Sequence, residues 1–178
     1  MIATDNISVK PYITDNPIVA MAPGDWEAVA RIYQEGIATG EATFETVAPS
    51  WASWDAAHLP FARLVAREKN EIVGWAALSQ VSRRAAYAGV AEVSVYVAAA
   101  CRGRGVGRAL LERIILESEA HGVWTLQAVV FSENAATLAL HKGCGFREVG
   151  RRERISKLQG HWRDTILLER RSTTVGID

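Results

Sequence analysis

Cysteine is scarce in this sequence: Cys101 and Cys144 are the only two among 178 residues. Two thiols build neither a disulfide framework nor a four-cysteine zinc site. Histidine is nearly as rare, and His58, His121, His141 and His161 never fall at the i, i+4 spacing of a metal-binding helix. No apolar stretch approaches the roughly 18 residues that a membrane span needs. The opening residues lack a basic segment followed by an apolar one, so no signal peptide is expected. Charge of one sign is missing too: 20 Lys and Arg balance 20 Asp and Glu. That argues against a general nucleic-acid binder, which carries a basic surplus. Together these deficits predict a cytoplasmic protein with reduced thiols, no metal, no membrane partner and no nucleic-acid partner.

What is present describes one globular unit. Hydrophobic residues make up 49% and charged residues 22%, close to the average for folded domains. A chain of this length forms one domain and buries about 70% of its unfolded surface. The charge is uneven along the chain. Residues 1–100 carry 7 basic and 11 acidic side chains, whereas residues 101–178 carry 13 and 9. A basic second half suits a small polyanionic ligand.

Periodicity divides the chain into elements. Residues 1–17 show no period and are expected to be an N-terminal extension; 18–171 form the domain and 172–178 a tail. Asp25 is positioned to cap a helix reaching Thr39, with Trp26, Val29, Ile32, Tyr33 and Ile37 as its stripe. Ser50 is the cap of a short helix over Trp51–Ala57. Strands are predicted over Phe61–Arg67, Glu71–Leu78, Ala91–Ala98, Trp124–Phe131, Phe146–Gly150 and Asp164–Glu169. Gly105 opens a helix to about His121, with Val106, Leu110, Ile114 and Leu116 as its buried stripe and Gly122 as its stop. Asn134 caps a last helix over Ala135–Lys142. The order predicts an α/β fold with a mixed sheet flanked by helices. Trp26, Trp54 and Trp75 are expected in the core.

The densest signal is the run Cys101-Arg102-Gly103-Arg104-Gly105-Val106-Gly107-Arg108, between a strand and a helix. Alternating glycines let backbone N–H groups approach a ligand without Cβ obstruction. They sit at the positive end of a helix dipole, and three arginines add charge. This is an anion site, suited to phosphate or pyrophosphate. The spacing is not the G-x-G-x-x-G of dinucleotide folds, and a Walker lysine is lacking.

Arg-x-x-Gly-x-Gly after a Val-rich strand resembles the acetyl-coenzyme A loop of the GNAT acyltransferases, as does Asn134 opening a helix that ends at Gly145-Phe146. The runs Ala42-Thr43-Phe44-Glu45, Tyr87 with Glu92–Val97, Leu140-His141-Lys142 and Trp162-Arg163-Asp164 resemble the phosphinothricin acetyltransferase group within it. The runs Tyr87–Val97, Trp124–Gln127 and Leu168–Arg171 are most similar to its arsinothricin branch. Two departures concern substrate choice. The group shows an aromatic and then Arg-x-Arg before the tyrosine, where this chain has Val81-Ser82-Arg83-Arg84; Val90 stands where threonine is common.

The resemblance implies acetyl-CoA as co-substrate. Arg102, Gly103, Arg104, Gly105, Val106, Gly107 and Arg108 would hold its pyrophosphate and Asn134 would be a further contact. Val95, Tyr96 and Val97 would pair through their strand with the pantetheine arm. Alternation puts Glu92, Ser94 and Tyr96 on one face of that strand and the valines on the other. A carboxylate at the start of an apolar strand is partly desolvated, which raises its pKa, so Glu92 is the expected general base. His141 is the second candidate, as acid or base, or as a helix-terminal residue facing the dipole. Arg83 and Arg84 suit the oxyanions of a small acidic amino acid, with Tyr87 beside them and Phe44 as a pocket wall; a solvated turn is the alternative. The expected function is N-acetylation of an amino acid such as phosphinothricin, arsinothricin or methionine sulfoximine by a homodimer. The alternatives are another amine, a protein N-terminus, or a non-catalytic acyl-CoA sensor.

Overall fold

The Val-rich and alternating segments pair into one seven-stranded sheet, seen in a computed structural model that describes residues 17–177. The predicted N-terminal extension, Pro17 apart, lies outside the described residues. The elements run β1 (Ile18–Ala20), α1 (Trp26–Ala38), α2 (Trp51–Ala57), β2 (Leu64–Glu68), β3 (Glu71–Gln80), β4 (Val90–Val97), α3 (Val106–Ala120), β5 (Thr125–Phe131), α4 (Ala135–Gly143), β6 (Arg147–Leu158) and β7 (His161–Arg171). The spatial order is β1-β2-β3-β4-β5-β7-β6. Neighbours are antiparallel except β4 and β5, which are parallel.

Two cores lie on the two faces. On one, α3 packs Val106, Leu110, Leu111 and Ile114 against Val93, Leu126, Ala128 and Leu168. Each such fully buried aliphatic side chain contributes about 1.5–3 kcal/mol by removing apolar surface from water. On the other, α1 and α2 bury Val29, Ile32 and Trp54 against Val65, Trp75 and Ala77 of the sheet. Trp54 is the hub of that layer, with ring centroids 5.5 Å from Trp26, 5.7 Å from Trp51 and 5.8 Å from Trp75.

Local signals explain the helix ends. The Ser50 side chain accepts from the Ser53 N–H at 3.2 Å, as a cap should. At the end of α3, Gly122 takes φ +78°, its N–H donates to the Glu119 carbonyl, and the Val123 N–H donates to Ser118. Gly145 repeats the pattern after α4 at φ +87°, with its own N–H on Lys142 and that of Phe146 on His141. Both are Schellman turns, which need a residue in the left-handed region.

Four expectations are corrected. Asp25 does not cap α1 through its side chain. It already lies in a 3-10 turn over Pro23–Asp25, and its carboxylate is held by the Ala22 N–H at 2.9 Å and by Arg67 at 2.6 Å. Leu116 is 62% exposed rather than part of the α3 stripe. Two residues beyond Ile114 it is turned ~200° away, and Leu111 and Ile115 take the buried places. The strand predicted from Phe61 begins at Leu64, because Ala62 takes φ +52° and breaks the extended run. The last two strands are far longer than their apolar runs, since β6 is exposed along most of its length and so lacks a period to read. β1 was not expected; it is three residues on the edge of β2.

Candidate active site

The strands β4 and β5 pair only at Val90–Thr125, Ala91–Leu126 and Glu92–Gln127, and then diverge. Beyond that point β4 still pairs with β3 as far as Val97 but has a free edge towards β5. The gap opens into a cleft of about 750 Å³. Its walls are α1, the 41–45 segment, β4, the glycine loop, the end of β5, α4 and Thr165 of β7. Along β4 from Glu92 to Val97 the cleft spans about 17 Å at the rise of a strand.

The glycine loop forms one end. Gly103 and Gly105 take φ +71° and +87°, conformations that suit glycine and no branched residue. Gly107 serves another purpose. A Cβ there would meet Leu140 Cδ2 at 3.3 Å and Val97 Cγ2 at 3.5 Å, so glycine lets α3 close on β4 and α4. The first N–H groups of α3 have no intrahelical acceptor and, with the helix dipole behind them, suit an anion. Arg102 and Arg108 line this end, Arg102 donating to the Val97 carbonyl at 3.3 Å and Arg108 to Gly143 at 2.9 Å. Arg104 does not line it: its guanidinium is taken by Glu68 on β2.

Glu92 sits at the other end, where β4 and β5 are still paired. Burial pushes its carboxyl above the usual range, and the Arg152 charge pulls part of that back. Alternation holds as expected: Tyr96 packs towards α1, while Val93, Val95 and Val97 pack towards α3. Phe44 stands edge-on to Phe131 at 4.7 Å, and both line the cleft.

His141 is only 3% exposed and lines the α4 wall. Its Nδ1 lies 2.9 Å from the Thr137 carbonyl, which can only accept, so the proton is on Nδ1. Nε2 is left with a lone pair and no hydrogen-bond partner among the described residues. Burial pushes the imidazole pKa below its usual value, partly offset by the bond to Thr137. The ring is braced edge-on by Phe146 at 5.0 Å, the same residue whose N–H closes the Schellman turn on the His141 carbonyl. Asn134 caps α4 by accepting from the Thr137 N–H at 3.0 Å. Its amide also donates to the Glu41 carbonyl at 3.0 Å, tying the 41–45 segment across the cleft.

Arg83, Arg84 and Tyr87 do not line the cleft. They form an exposed turn before β4, with the Arg84 guanidinium 5.9 Å from the Tyr87 ring centroid and Tyr87 43% exposed. Sequence reasoning missed Tyr33, Thr43, Phe131, Thr137 and Thr165, all of which line the cleft. Tyr33 looked like one more residue of a core stripe. Its ring packs 4.8 Å from Tyr96, and burial raises both phenols while the Thr43 hydroxyl pulls both back. Thr165 had no local signal, since only the β5–β7 pairing brings it there.

A splayed parallel strand pair with a glycine loop at one end and a desolvated carboxylate at the other defines an acyl-CoA-dependent transferase. The chain belongs to the acetyltransferase (GNAT) family, whose model matches residues 26–146. It is 36% identical over 155 residues to a phosphinothricin N-acetyltransferase of Alcaligenes faecalis, covering 82% of this chain and 77% of that one. It is 31% identical over 100 residues to an L-methionine sulfoximine/L-methionine sulfone acetyltransferase of Pseudomonas aeruginosa, covering 56% and 58%. The crystal structure of a phosphinothricin acetyltransferase from Sinorhizobium meliloti in complex with AcCoA superposes with TM-score 0.83 at 25% identity, covering 93% of this chain and 92% of that one.

Proposed function

We propose that this protein transfers the acetyl group of acetyl-CoA to the amino group of a small amino acid, of the class of phosphinothricin, arsinothricin and methionine sulfoximine, by direct attack in a ternary complex. The observation that carries the reading is the placement of Glu92: a carboxyl with a raised pKa at the end of the cleft where β4 and β5 are still paired, with an anion-binding loop at the other end.

The residues present fit acetyl-CoA. Two glycines in the left-handed region, a helix N-terminus, Arg102 and Arg108 suit its pyrophosphate. The free edge of β4 at Val95–Val97 suits the amides of its arm. Acetyl-CoA supplies an acyl group already activated as a thioester. Glu92 takes a proton from the substrate ammonium, directly or through water, and frees the nitrogen lone pair. Its raised pKa brings it closer to the ammonium's and makes that transfer less uphill. His141 is neutral at neutral pH, and Nε2 accepts a hydrogen bond or a proton before it can return one. Tyr33 and Tyr96 stay protonated and serve as hydroxyl donors in the wall.

We also infer a homodimer in the cytoplasm. α1 packs mainly on β3 and β4, and Leu167, further along the same face of the sheet, is half-buried. Light scattering is expected to give twice 19.4 kDa.

A thiol-release assay with acetyl-CoA tests the reaction against phosphinothricin, arsinothricin, methionine sulfoximine, methionine sulfone, ordinary amino acids and an N-terminal peptide. Turnover is expected with the glutamate mimics. Glu92→Gln is expected to lower kcat/KM by about 10²–10⁴ while acetyl-CoA binding is kept. Wild-type rates in that variant overturn the base assignment. Turnover confined to the peptide overturns the substrate class.

A further inference from the structure

We propose that the Asn134 side-chain amide latches the 41–45 segment across the cleft and is thereby a positioning residue for the amine substrate; this rests on the reading of the site as an amine acetyltransferase.

The cleft joins the two faces of the sheet. α1 is on one face, with Tyr96 packed in its layer. Glu92 points to that face too, since it lies an even number of residues from Tyr96 on β4. α3, which the glycine loop opens, is on the other face, and α4 packs there through Leu138 and Leu140. The 41–45 segment follows α1 and stays on the Glu92 face: a Cβ built on Gly36 meets the Tyr96 ring at 2.7 Å and the Ala42 Cβ at 3.7 Å. All five of its residues line the cleft. The anion loop is therefore on one face, and the base and this segment are on the other.

The segment is held differently on its two sides. Towards α1, the Glu41 N–H donates to the Thr39 hydroxyl at 3.1 Å, and the Ala48 N–H donates to the Gln34 side chain at 3.0 Å. Towards β5 and α4, two contacts cross the cleft. The Phe44 ring stands edge-on to Phe131 at 4.7 Å, and Asn134 Nδ2 donates to the Glu41 carbonyl at 3.0 Å. The hydrogen bond is the directional one of the pair. It joins residues 93 apart in the chain, so it fixes where the segment lies and not merely its local turn.

The residue type supports the assignment. Asn, Asp and Ser cap a helix about equally well. Of the three, the amide alone presents an acceptor and a donor on separate atoms. Oδ1 takes the Thr137 N–H at 3.0 Å and caps α4, which leaves Nδ2 for Glu41. One side chain thereby ties the helix that carries His141 to the segment that carries Phe44. Freeing the segment loosens a wall on the face of the base and leaves the glycine loop, on the other face, as it was.

The test compares the wild type with Asn134→Ser, Asn134→Asp and Asn134→Ala, with methionine sulfoximine as the amine. Ser and Asp keep the cap and lose the bond to Glu41; Ala loses both. All three are expected to raise the KM for the amine by about 2–10-fold, the effect of one neutral hydrogen bond. The calorimetric Kd for acetyl-CoA is expected to move less than about twofold in the uncharged Ser and Ala variants. Melting temperature should part the variants along the other line: Asn134→Ala falls about 2–4 °C below Ser and Asp, because it alone loses the cap. An amine KM unchanged in Ser and Asp overturns the latch, and a loss confined to Ala leaves a helix cap and overturns it too. So does weakened acetyl-CoA binding with the amine KM unaltered, the signature of a coenzyme contact. Should the wild type acetylate no amine, the functional reading fails, and hydrogen exchange judges the latch by itself. Amides of 41–48 that exchange about 2–10-fold faster in Ser and Asp than in the wild type support it; equal exchange overturns it.

Discussion

Gly103 offers the cleanest perturbation of the coenzyme end. Its φ is +71°, and a Cβ built there meets nothing within 4 Å. Gly103→Ala therefore adds no clash, and its whole effect is the strain of holding an L-residue in the left-handed region, about 1–2 kcal/mol. That strain must show itself in one of two ways. If the loop leaves this conformation in the free protein and returns to it on binding, acetyl-CoA affinity falls by about 5–30-fold at 1.4 kcal/mol per tenfold. If the loop is held by its neighbours in both states, affinity is unchanged and the folded state is destabilised by the same amount. Calorimetric titration with acetyl-CoA together with thermal unfolding measures both, and the two losses should sum to about 1–2 kcal/mol. Gly107→Ala is the control. It has an ordinary helical φ and a Cβ contact of 3.3 Å, so its loss is expected from tight packing against Leu140 and not from backbone strain. Leu140→Ala should relieve the Gly107 variant and leave the Gly103 variant unaltered. Unchanged affinity together with unchanged stability in Gly103→Ala would refute the reasoning.

Three further outcomes follow from the site. Glu92→Gln should raise the melting temperature at neutral pH, because burial raises the folded carboxyl's pKa and an ionised Glu92 costs stability there; the advantage should shrink as pH falls through the raised value, where the wild-type carboxyl is itself protonated. His141→Asn keeps a donor for the Thr137 carbonyl and removes Nε2, so kcat should fall. Both His58 and His141 have pKa values lowered by burial, so the wild type should lose stability as pH drops below about 6.5, and calorimetry at several pH values should find that slope shallower in His141→Asn. Gly36→Ala places a Cβ 2.7 Å from the Tyr96 ring, itself stacked 4.7 Å from Trp75; overpacking of about 1–3 kcal/mol should outweigh the gain of up to ~1 kcal/mol in helix propensity, seen as a lower melting temperature and a raised KM for the amine.

Much of this site could be read from residues close together in the chain. Gly103, Gly105 and Gly107 mark a strand-to-helix anion loop through their spacing alone. Asn134 is legible as a cap because its capping bond comes from the Thr137 N–H, three residues on. The Glu92, Ser94, Tyr96 alternation follows from the period of a strand, and the raised Glu92 pKa agrees with the expected desolvation, its cause being burial in the fold. Each of these signals acts within a few residues, the range over which helix and strand periods, caps and turns operate. The tertiary structure decided which of the chemically suited side chains meet. Arg83, Arg84 and Arg104 look as apt in sequence as Arg102 and Arg108, yet only the latter pair lines the cleft: Glu68 on β2 draws Arg104 away, Arg108 stays at the cleft with its Nε on Glu112 of its own helix, and the Arg83–Tyr87 turn lies outside. Thr165 reaches the cleft because β7, the last strand, inserts between β5 and β6. The protonation of His141 depends on a carbonyl one helical turn back and on the burial that α4 gains by packing. Those outcomes rest on long-range register and on competition between partners far apart in the chain, for which no local pattern of residues carries a signal.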